Sequence, residues 1–182
     1  MSASSLPVAA PAHVLPVIVL AQFAGTSLWF AVNAVMPDLQ QAWGLGPAAV
    51  GTLTSAVQLG FIAGTLVFAV LSVADRFSPR WVFLACAVAG AACNALGAHA
   101  AGSLDALLLL RFATGFFLAG IYPVGMKIAA SWYPQGLGAA LGWLVGALVL
   151  GTASPHLLRA LGTGWPWQQV MDVVSLLALA GG

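Results

Sequence analysis

The 182-residue sequence contains no glutamate, and charged residues of all kinds make up 5% of it, against about a quarter in soluble domains. Hydrophobic residues account for 62% of the chain, and the mean hydropathy is +1.03. The net charge of +1 provides neither a basic surface for nucleic acid nor an acidic tail for a basic partner. These shortages exclude an ordinary soluble domain and indicate an integral membrane protein in contact with the lipid bilayer.

The sequence is also poor in residues that carry chemistry. Its two cysteines, Cys86 and Cys93, would be ~10 Å apart along a helix, too far for a disulfide. The three histidines have no acid or cysteine at metal-ligand spacing, and no Gly-rich phosphate loop or nucleophile elbow is present. We therefore expect no bound metal and no cofactor. The absence of a catalytic cluster also disfavours an intramembrane enzyme.

Long apolar runs dominate what is present. A helix needs about 20 apolar residues to cross a bilayer, and the sequence has five complete runs of this kind and one partial run. We call them spans one to six; they cover residues 14–36, 48–74, 81–101, 104–130, 137–158 and 167–182. The connections are short and rich in Pro, Gly or polar residues, as turns between adjacent helices are. The sequence predicts an all-α membrane bundle over residues 14–182, preceded by a cytoplasmic tail, residues 1–13.

Basic residues in short loops favour the cytoplasmic side of a membrane. Those on one side of the predicted bundle are Arg76, Arg80 and Lys127. The opposite side carries Asp38 and Asp105, with Arg159 as the contrary residue. The distribution predicts a cytoplasmic N-terminus in a bacterial-type inner or plasma membrane.

Polar side chains follow one helical face in each of the first two spans. In span one this face carries Gln22, Thr26, Trp29 and Asn33. In span two it carries Thr54, Gln58 and Thr65. Polar groups facing lipid are costly, so both faces are expected to look into the bundle or into a water-filled cavity. Interhelical hydrogen bonding is the alternative role of the same residues.

Arg111 lies about six residues into span four, where an unpaired guanidinium costs several kcal/mol. Its helical face continues through Tyr122, an aromatic residue that could close a binding site. We hypothesise that Arg111 binds an anionic group of a substrate or couples to a protonating carboxylate. The alternatives are snorkelling to the interface and pairing with Asp105 or Asp172.

Asp172 is an acid inside an apolar segment, the partial sixth run. A carboxyl group in such a segment is a candidate for exchanging protons during transport. The residue is therefore a proton-coupling candidate. Because it lies five residues past Trp167, an ordinary solvated or Arg-paired acid near the outer interface is the alternative.

The stretch 71–81, "LSVADRFSPRW", concentrates Asp75, Arg76 and Arg80 between spans two and three. It resembles the corresponding loop of the major facilitator superfamily, whose motif reads Gly-x-Leu-Ala-Asp-Arg-x-Gly-Arg-Lys. The positions that match or nearly match are Val73, Ala74, Asp75, Arg76 and Arg80. The departures are Leu71, Ser78 and Pro79, at its Gly, Gly and Arg. The resemblance implies that Asp75 belongs to a gate contact, for which pairing with a neighbouring arginine or capping of a helix is expected.

Span four carries a second resemblance to the same family. In "RFATGFFLAG", Arg111 and Gly115 fit the superfamily's Arg-x-x-x-Gly motif. The continuation "GIYPVGMKIAASWYPQGLGAALGW" is similar to the nitrate/nitrite, cyanate and organic-phosphate branches. Span five lacks the Gly-Pro pair of the drug antiporters, so the resemblance favours uptake or exchange of a small solute.

In this superfamily a transporter consists of two six-helix halves, each made of two inverted three-helix repeats, with the substrate bound between the halves. The stretches "QFAGTSLWFAVNAVMP" and "RFATGFFLAGIYP" echo each other, which would make Gln22 and Arg111 equivalents flanking one cavity. The resemblance implies an N-terminal half whose sixth span is cut short and which needs a second half from the same chain or another. We expect secondary active transport of a small solute, with an anion as one candidate, by alternating access. Symport and antiport both remain open, and a non-transporting fragment or a membrane assembly subunit is the alternative.

Overall fold

The computed structural model describes residues 10–182, so most of the tail expected at residues 1–13 lies outside the described residues. The described chain is helical. Its elements are α1 (Val14–Thr26), a 3-10 helix (Ser27–Phe30), α2 (Ala31–Ala34), α3 (Met36–Trp43), α4 (Ala48–Val70), α5 (Val73–Arg76), α6 (Pro79–His99), α7 (Leu104–Leu118), α8 (Tyr122–Trp132), α9 (Leu137–Leu161) and α10 (Trp167–Gly181).

Five of the described helical segments are long and apolar enough to cross a membrane. They are span one (Val14–Ala34), span two (Ala48–Val70), span three (Pro79–His99), span four (Leu104–Trp132) and span five (Leu137–Leu161). Helix α10 has 15 residues and forms span six. The all-helical membrane fold and the five complete spans predicted from hydropathy are confirmed.

Spans one and four are broken near their middles, where the sequence predicted continuous helices. In span four the break covers residues 119–121 and precedes Pro123, which lacks the N–H that a continuing helix would need. In span one Thr26 Oγ1 donates to the carbonyl of Gln22 at 2.8 Å and Ser27 Oγ to that of Ala24 at 2.6 Å. Such back-bonding bends helices, and the chain continues as the 3-10 turn Ser27–Phe30.

The spans follow a definite order across the bundle. Span two packs on span four, span four on span three, span three on span six, span six on span one, and span one on span five. Spans one and four also meet directly, through the 3-10 turn against α7 and through α1 against α8. The broken spans therefore lie at the centre, and spans two and five lie at the two sides.

Glycine allows the backbones of spans two and four to approach closely. A Cβ atom at Gly60 would collide with the backbone carbonyl of Phe112, and one at Gly115 with that of Val57. Both glycines are therefore required by the contact between α4 and α7. The close approach of these two helices helps to fix where the start of span four, including Arg111, lies relative to span one.

The outer faces of spans two and five are mostly uncovered. In the most apolar window of each, 22% and 28% of the residues are buried, against 44 to 50% in spans one, three and four. Apolar side chains such as Ile62, Leu66, Val149 and Leu150 are exposed on these faces. The six-helix unit therefore presents two apolar sides to its surroundings, one on each flank of the central spans.

Candidate functional site

Arg111 is buried at the centre of the bundle, with 1% of its surface exposed. Its Nη2 donates to the backbone oxygens of Leu28 at 3.0 Å and Trp29 at 2.6 Å. Its Nη1 donates to Oδ1 of Asn94 at 3.3 Å. The guanidinium of span four thus contacts the break in span one and a side chain of span three.

The contact with span one follows from the backbone geometry of that span. Where an α-helix changes to a 3-10 turn, its regular hydrogen-bond ladder is interrupted, and carbonyl groups lose helical partners. A carbonyl without a donor inside a membrane costs several kcal/mol. Arg111 supplies donors to two carbonyls of the turn Ser27–Phe30 and thereby stabilises the break.

No carboxylate pairs with Arg111 within residues 10–182, a range that holds all four aspartates of the chain. The ion pairs formed there are Asp38–Arg159, Asp75–Lys127 and Asp172–His99. Asp105 lies exposed in the first turn of α7. The structure therefore shows neither of the pairings considered for Arg111, with Asp105 or Asp172, and the buried side chain does not snorkel to the interface. Its neighbours are neutral oxygen atoms.

Asn94, which the sequence analysis did not single out, completes the surroundings of Arg111. It is 1% exposed, and its Nδ2 donates to the carbonyl of Met171 and to Oγ of Ser175, both at 3.0 Å. The available signal was an amide side chain in a span otherwise rich in small apolar residues. A chain of hydrogen bonds therefore runs from span one through Arg111 and Asn94 to span six.

The polar face predicted on span one divides into two parts. Gln22 and Thr26 are completely buried and face the bundle interior. Both amide atoms of Gln22 lack hydrogen-bond partners among the described residues, and the side chain lies so close to Gly125 of span four that a Cβ there would collide with it. This part of the face is packed between spans, but the hydroxyl of Thr26 donates to carbonyls of its own helix, so neither side chain forms a hydrogen bond between spans among the described residues.

The other part is partly exposed beside span two. The Trp29 ring packs on that of Phe61, with centroids 4.7 Å apart, and Asn33 Nδ2 donates to Thr54 Oγ1 at 2.7 Å. Gln58, one turn beyond Thr54, is exposed. These side chains line the flank where spans one and two meet.

Tyr122 begins α8 directly after the break in span four and is partly buried. It shares a helical face with Arg111 by sequence spacing, but the break intervenes, and within residues 10–182 the two side chains form no hydrogen bond. The structure thus brings Arg111 to the backbone of Trp29 and Asn33 to Thr54.

In the loop between spans two and three, Asp75 forms an ion pair with Lys127 of span four. The sequence predicted a pair with Arg76 or Arg80, or a helix cap; both arginines are exposed, and the guanidinium of Arg80 lies 5.9 Å from the ring of Trp81. The reason is that α5 projects Asp75 toward span four. The contact ties the end of span two to the end of span four.

Asp172 pairs with His99 at the opposite end of the bundle. The distances from His99 Nε2 to the two carboxylate oxygens are 2.9 and 3.0 Å, and the carboxylate side chain is 39% exposed. The pair joins the end of span three to the start of span six. Asp172 therefore lies near the bundle surface with a histidine, not an arginine, as its partner.

Comparison with known proteins agrees with this architecture. The profile of the Major Facilitator Superfamily matches residues 18–182. The chain is 28% identical over 155 residues to the 4-hydroxybenzoate transporter PcaK of Pseudomonas putida, covering 82% of this chain and 33% of the relative. The PcaK protein of Pseudomonas aeruginosa is 27% identical over the same shares. A Haemophilus influenzae protein, whose name assigns it provisionally to metabolite transport, is 33% identical over 74% of this chain and 33% of its own length.

The chain thus spans about a third of the length of these relatives. Their names describe transport rather than catalysis, in agreement with the expectation of a non-enzymatic membrane protein. The family match covers the central spans, the loop between spans two and three, and the hydrogen-bonded chain around Arg111. This chain belongs to the major facilitator superfamily.

Proposed function

We propose that the chain forms one six-helix half of a secondary transporter that moves a small organic anion across a bacterial-type plasma membrane by alternating access. The observation that carries this proposal is the positive charge of Arg111. It is buried, and its partners are two backbone carbonyls and one amide. Neutral acceptors lower the cost of burying a cation, but they do not cancel its charge.

A buried, unneutralised charge inside a membrane domain is expensive and marks a functional site. The electrostatic field of Arg111 is strong in a medium of low dielectric constant, and an anion bound beside it would lower the energy of both charges. Gln22, which the predicted internal repeat would make the equivalent of Arg111, is neutral, so it does not offset the positive charge of Arg111. This asymmetry favours an anionic over a cationic substrate.

The partly exposed side chains of the predicted cavity suit an aromatic or other small carboxylate. Trp29 and Phe61 offer ring surfaces, while Asn33, Gln58 and Tyr122 offer hydrogen-bonding groups. The names of two relatives refer to 4-hydroxybenzoate, an aromatic carboxylate. We therefore favour aromatic carboxylates, with nitrate, cyanate and organic phosphate as the competing anions that the motif resemblance suggests.

A second six-helix half, in the same chain or another, would complete the transporter. The uncovered apolar faces of spans two and five flank the central spans, and the relatives are about three times as long as the matched region. A partner half packed against these two faces would cover both of them. The N-terminus and the gate loop would then lie in the cytoplasm, as the positions of Arg76, Arg80 and Lys127 favour.

The test is uptake into proteoliposomes by the protein expressed from its complete gene. Labelled 4-hydroxybenzoate, nitrate and the neutral 4-hydroxybenzyl alcohol are compared for the native protein, Arg111→Gln and Arg111→Lys. We expect uptake of the carboxylate but not of the alcohol. We expect uptake of the carboxylate to fall ~10- to 100-fold in Arg111→Gln, because the contribution of a charge-assisted hydrogen bond to binding corresponds to this factor. The loss should be smaller in Arg111→Lys, which keeps the charge.

Equal uptake of the alcohol and the carboxylate would contradict the anion proposal, as would native uptake in Arg111→Gln. Preference for nitrate over the carboxylate would move the substrate to the inorganic-anion class. An absence of uptake for every solute, in protein that is folded and correctly inserted, would favour the alternative of a membrane assembly subunit.

A further inference from the structure

Asn94 has an amide group whose orientation is fixed by its neighbours. Its Nδ2 faces two acceptors, the carbonyl of Met171 and Oγ of Ser175. Ser175 Oγ donates its own proton to the carbonyl of Met171 at 2.9 Å, so it can only accept from Asn94. The amide therefore cannot be reversed without facing an oxygen toward a carbonyl, and Oδ1 must point to Arg111.

The Oδ1 atom of Asn94 accepts a hydrogen bond on one side of the guanidinium of Arg111, and carbonyls of span one accept on the other. Nη1 is held by Asn94, and Nη2 is held by the carbonyls of Leu28 and Trp29. A planar guanidinium held at both terminal nitrogens has a defined plane. Through Asn94, the orientation of Arg111 thus depends on the position of span six.

The neutrality of Asn94 matters as much as its position. An aspartate has nearly the same shape, and at this place it would present a carboxylate to Nη1 of Arg111 and form a buried ion pair. Such a pair would neutralise Arg111 and remove its attraction for a third, negatively charged group. The amide satisfies one N–H of the guanidinium without supplying a negative charge.

We propose that Asn94 is a positioning residue that orients Arg111 and, because it is neutral, leaves the charge of Arg111 available to the substrate anion. The first part rests on geometry alone. The second part rests on the proposed function, since it requires an anionic substrate.

The charge role is tested with Asn94→Asp in the full-length protein, using 4-hydroxybenzoate uptake. We expect KM to rise by about tenfold or more with little change in the maximal rate, because an added carboxylate competes with the substrate for Arg111. The matched control is Gln169→Glu, which adds the same charge at an exposed position in the first turn of α10 and should leave KM unchanged. An unchanged KM in Asn94→Asp, in protein that remains folded, would overturn the charge role.

The positioning role is tested without substrate, by thermal unfolding of the detergent-solubilised protein. Asn94→Ala, Arg111→Met and the double variant form a cycle. We expect Asn94→Ala to lower the melting temperature in the native background by clearly more than in the Arg111→Met background, where the group it positions is gone. Additive shifts would overturn the positioning role. If the native protein moves no anion, the proposed function fails and takes the charge role with it, whereas the cycle still decides the positioning role.

Discussion

Arg159 and Asp38 form an ion pair, with Nη2 2.7 Å from Oδ1, that joins the end of span five to the helix that follows span one. At the other end of the bundle, Lys127 and Asp75 join the end of span four to the end of span two. The segments "QFA" at residues 22–24 and "RFA" at residues 111–113 align in the predicted repeat. Asp38 lies 16 residues after Gln22, and Lys127 lies 16 residues after Arg111. Asp38 and Lys127 therefore occupy equivalent places in the predicted inverted repeat with opposite charges, and their partners lie at the ends of spans five and two, which the repeat also relates. The relationship supports the repeat.

The Asp38–Arg159 pair is partly buried, with about a quarter of each side chain exposed. We expect Asp38→Asn to lower the free energy of unfolding by ~1 kcal/mol, because Arg159 then loses its charged partner while keeping its contacts to the carbonyls of Gly162 and Trp165. Thermal unfolding in detergent measures the change. The exchanged variant Asp38→Arg with Arg159→Asp should recover part of the loss; a double variant less stable than either single one would contradict a direct pair.

The Asp75–Lys127 pair lies at the surface, with 73% of the aspartate side chain exposed, so we expect little effect of Asp75→Asn on stability. If the pair belongs to the gate, the substitution should lower the maximal rate of uptake while leaving substrate affinity nearly intact. Measuring KM and the maximal rate separately tests this. Arg76→Gln, which removes a charge from the same loop without touching the pair, is the control. A native maximal rate in Asp75→Asn would argue against a gate.

Ser72 holds the turn after span two in a left-handed conformation, with φ of 50° and ψ of 41°. A non-glycine residue there costs ~1 kcal/mol or more, and the turn ends α4 four residues before the end of the run predicted at residues 48–74. We expect Ser72→Gly to match or exceed native stability and Ser72→Val, with a branched Cβ, to lower it. Melting temperatures compare the two. Equal values for Gly and Val would mean that the turn does not require the left-handed conformation.

The sequence was sufficient for the spans but not for the partners of the buried arginine. Hydropathy marks each span because bilayer thickness sets its length. The acceptors for Arg111 include two backbone carbonyls, and a carbonyl has no signature in the residue type that bears it. The break that frees them arises from Thr26 and Ser27 hydrogen-bonding backward, without the proline that reveals the break in span four. Asn94 was missed because a lone amide in an apolar helix does not indicate which helix it will face.

The partner of Asp75 illustrates a second limit. Arg76 and Arg80 are near in sequence, and the sequence therefore predicted pairing within the loop. Lys127 is 52 residues away, and only the packing of span two on span four brings it close. The sequence did not reveal the uncovered faces of spans two and five either. A face that contacts lipid or another apolar half has the same apolar composition as a buried core.

Gly115 tests the close contact between spans two and four. We expect Gly115→Ala to lower the free energy of unfolding by ~1–3 kcal/mol, because its Cβ would collide with the carbonyl of Val57 and separate helices that hold Arg111 in place. The matched control is Gly142→Ala in span five, where no atom lies within 4 Å of the added Cβ. Thermal unfolding should distinguish the two. Equal tolerance at both positions would contradict the packing of α4 on α7.

Two variants distinguish a proton-coupling role of Asp172 from its contact with His99. If the carboxylate exchanges protons during transport, we expect Asp172→Asn to abolish the pH dependence of 4-hydroxybenzoate uptake. His99→Gln should retain that dependence, because it removes the partner and leaves the carboxylate. Uptake into proteoliposomes over a series of external pH values measures both. Because the pair bridges spans three and six near the surface, an unaltered profile in Asp172→Asn would leave the pair only the role of joining those spans, and the proton-coupling role of Asp172 would be lost.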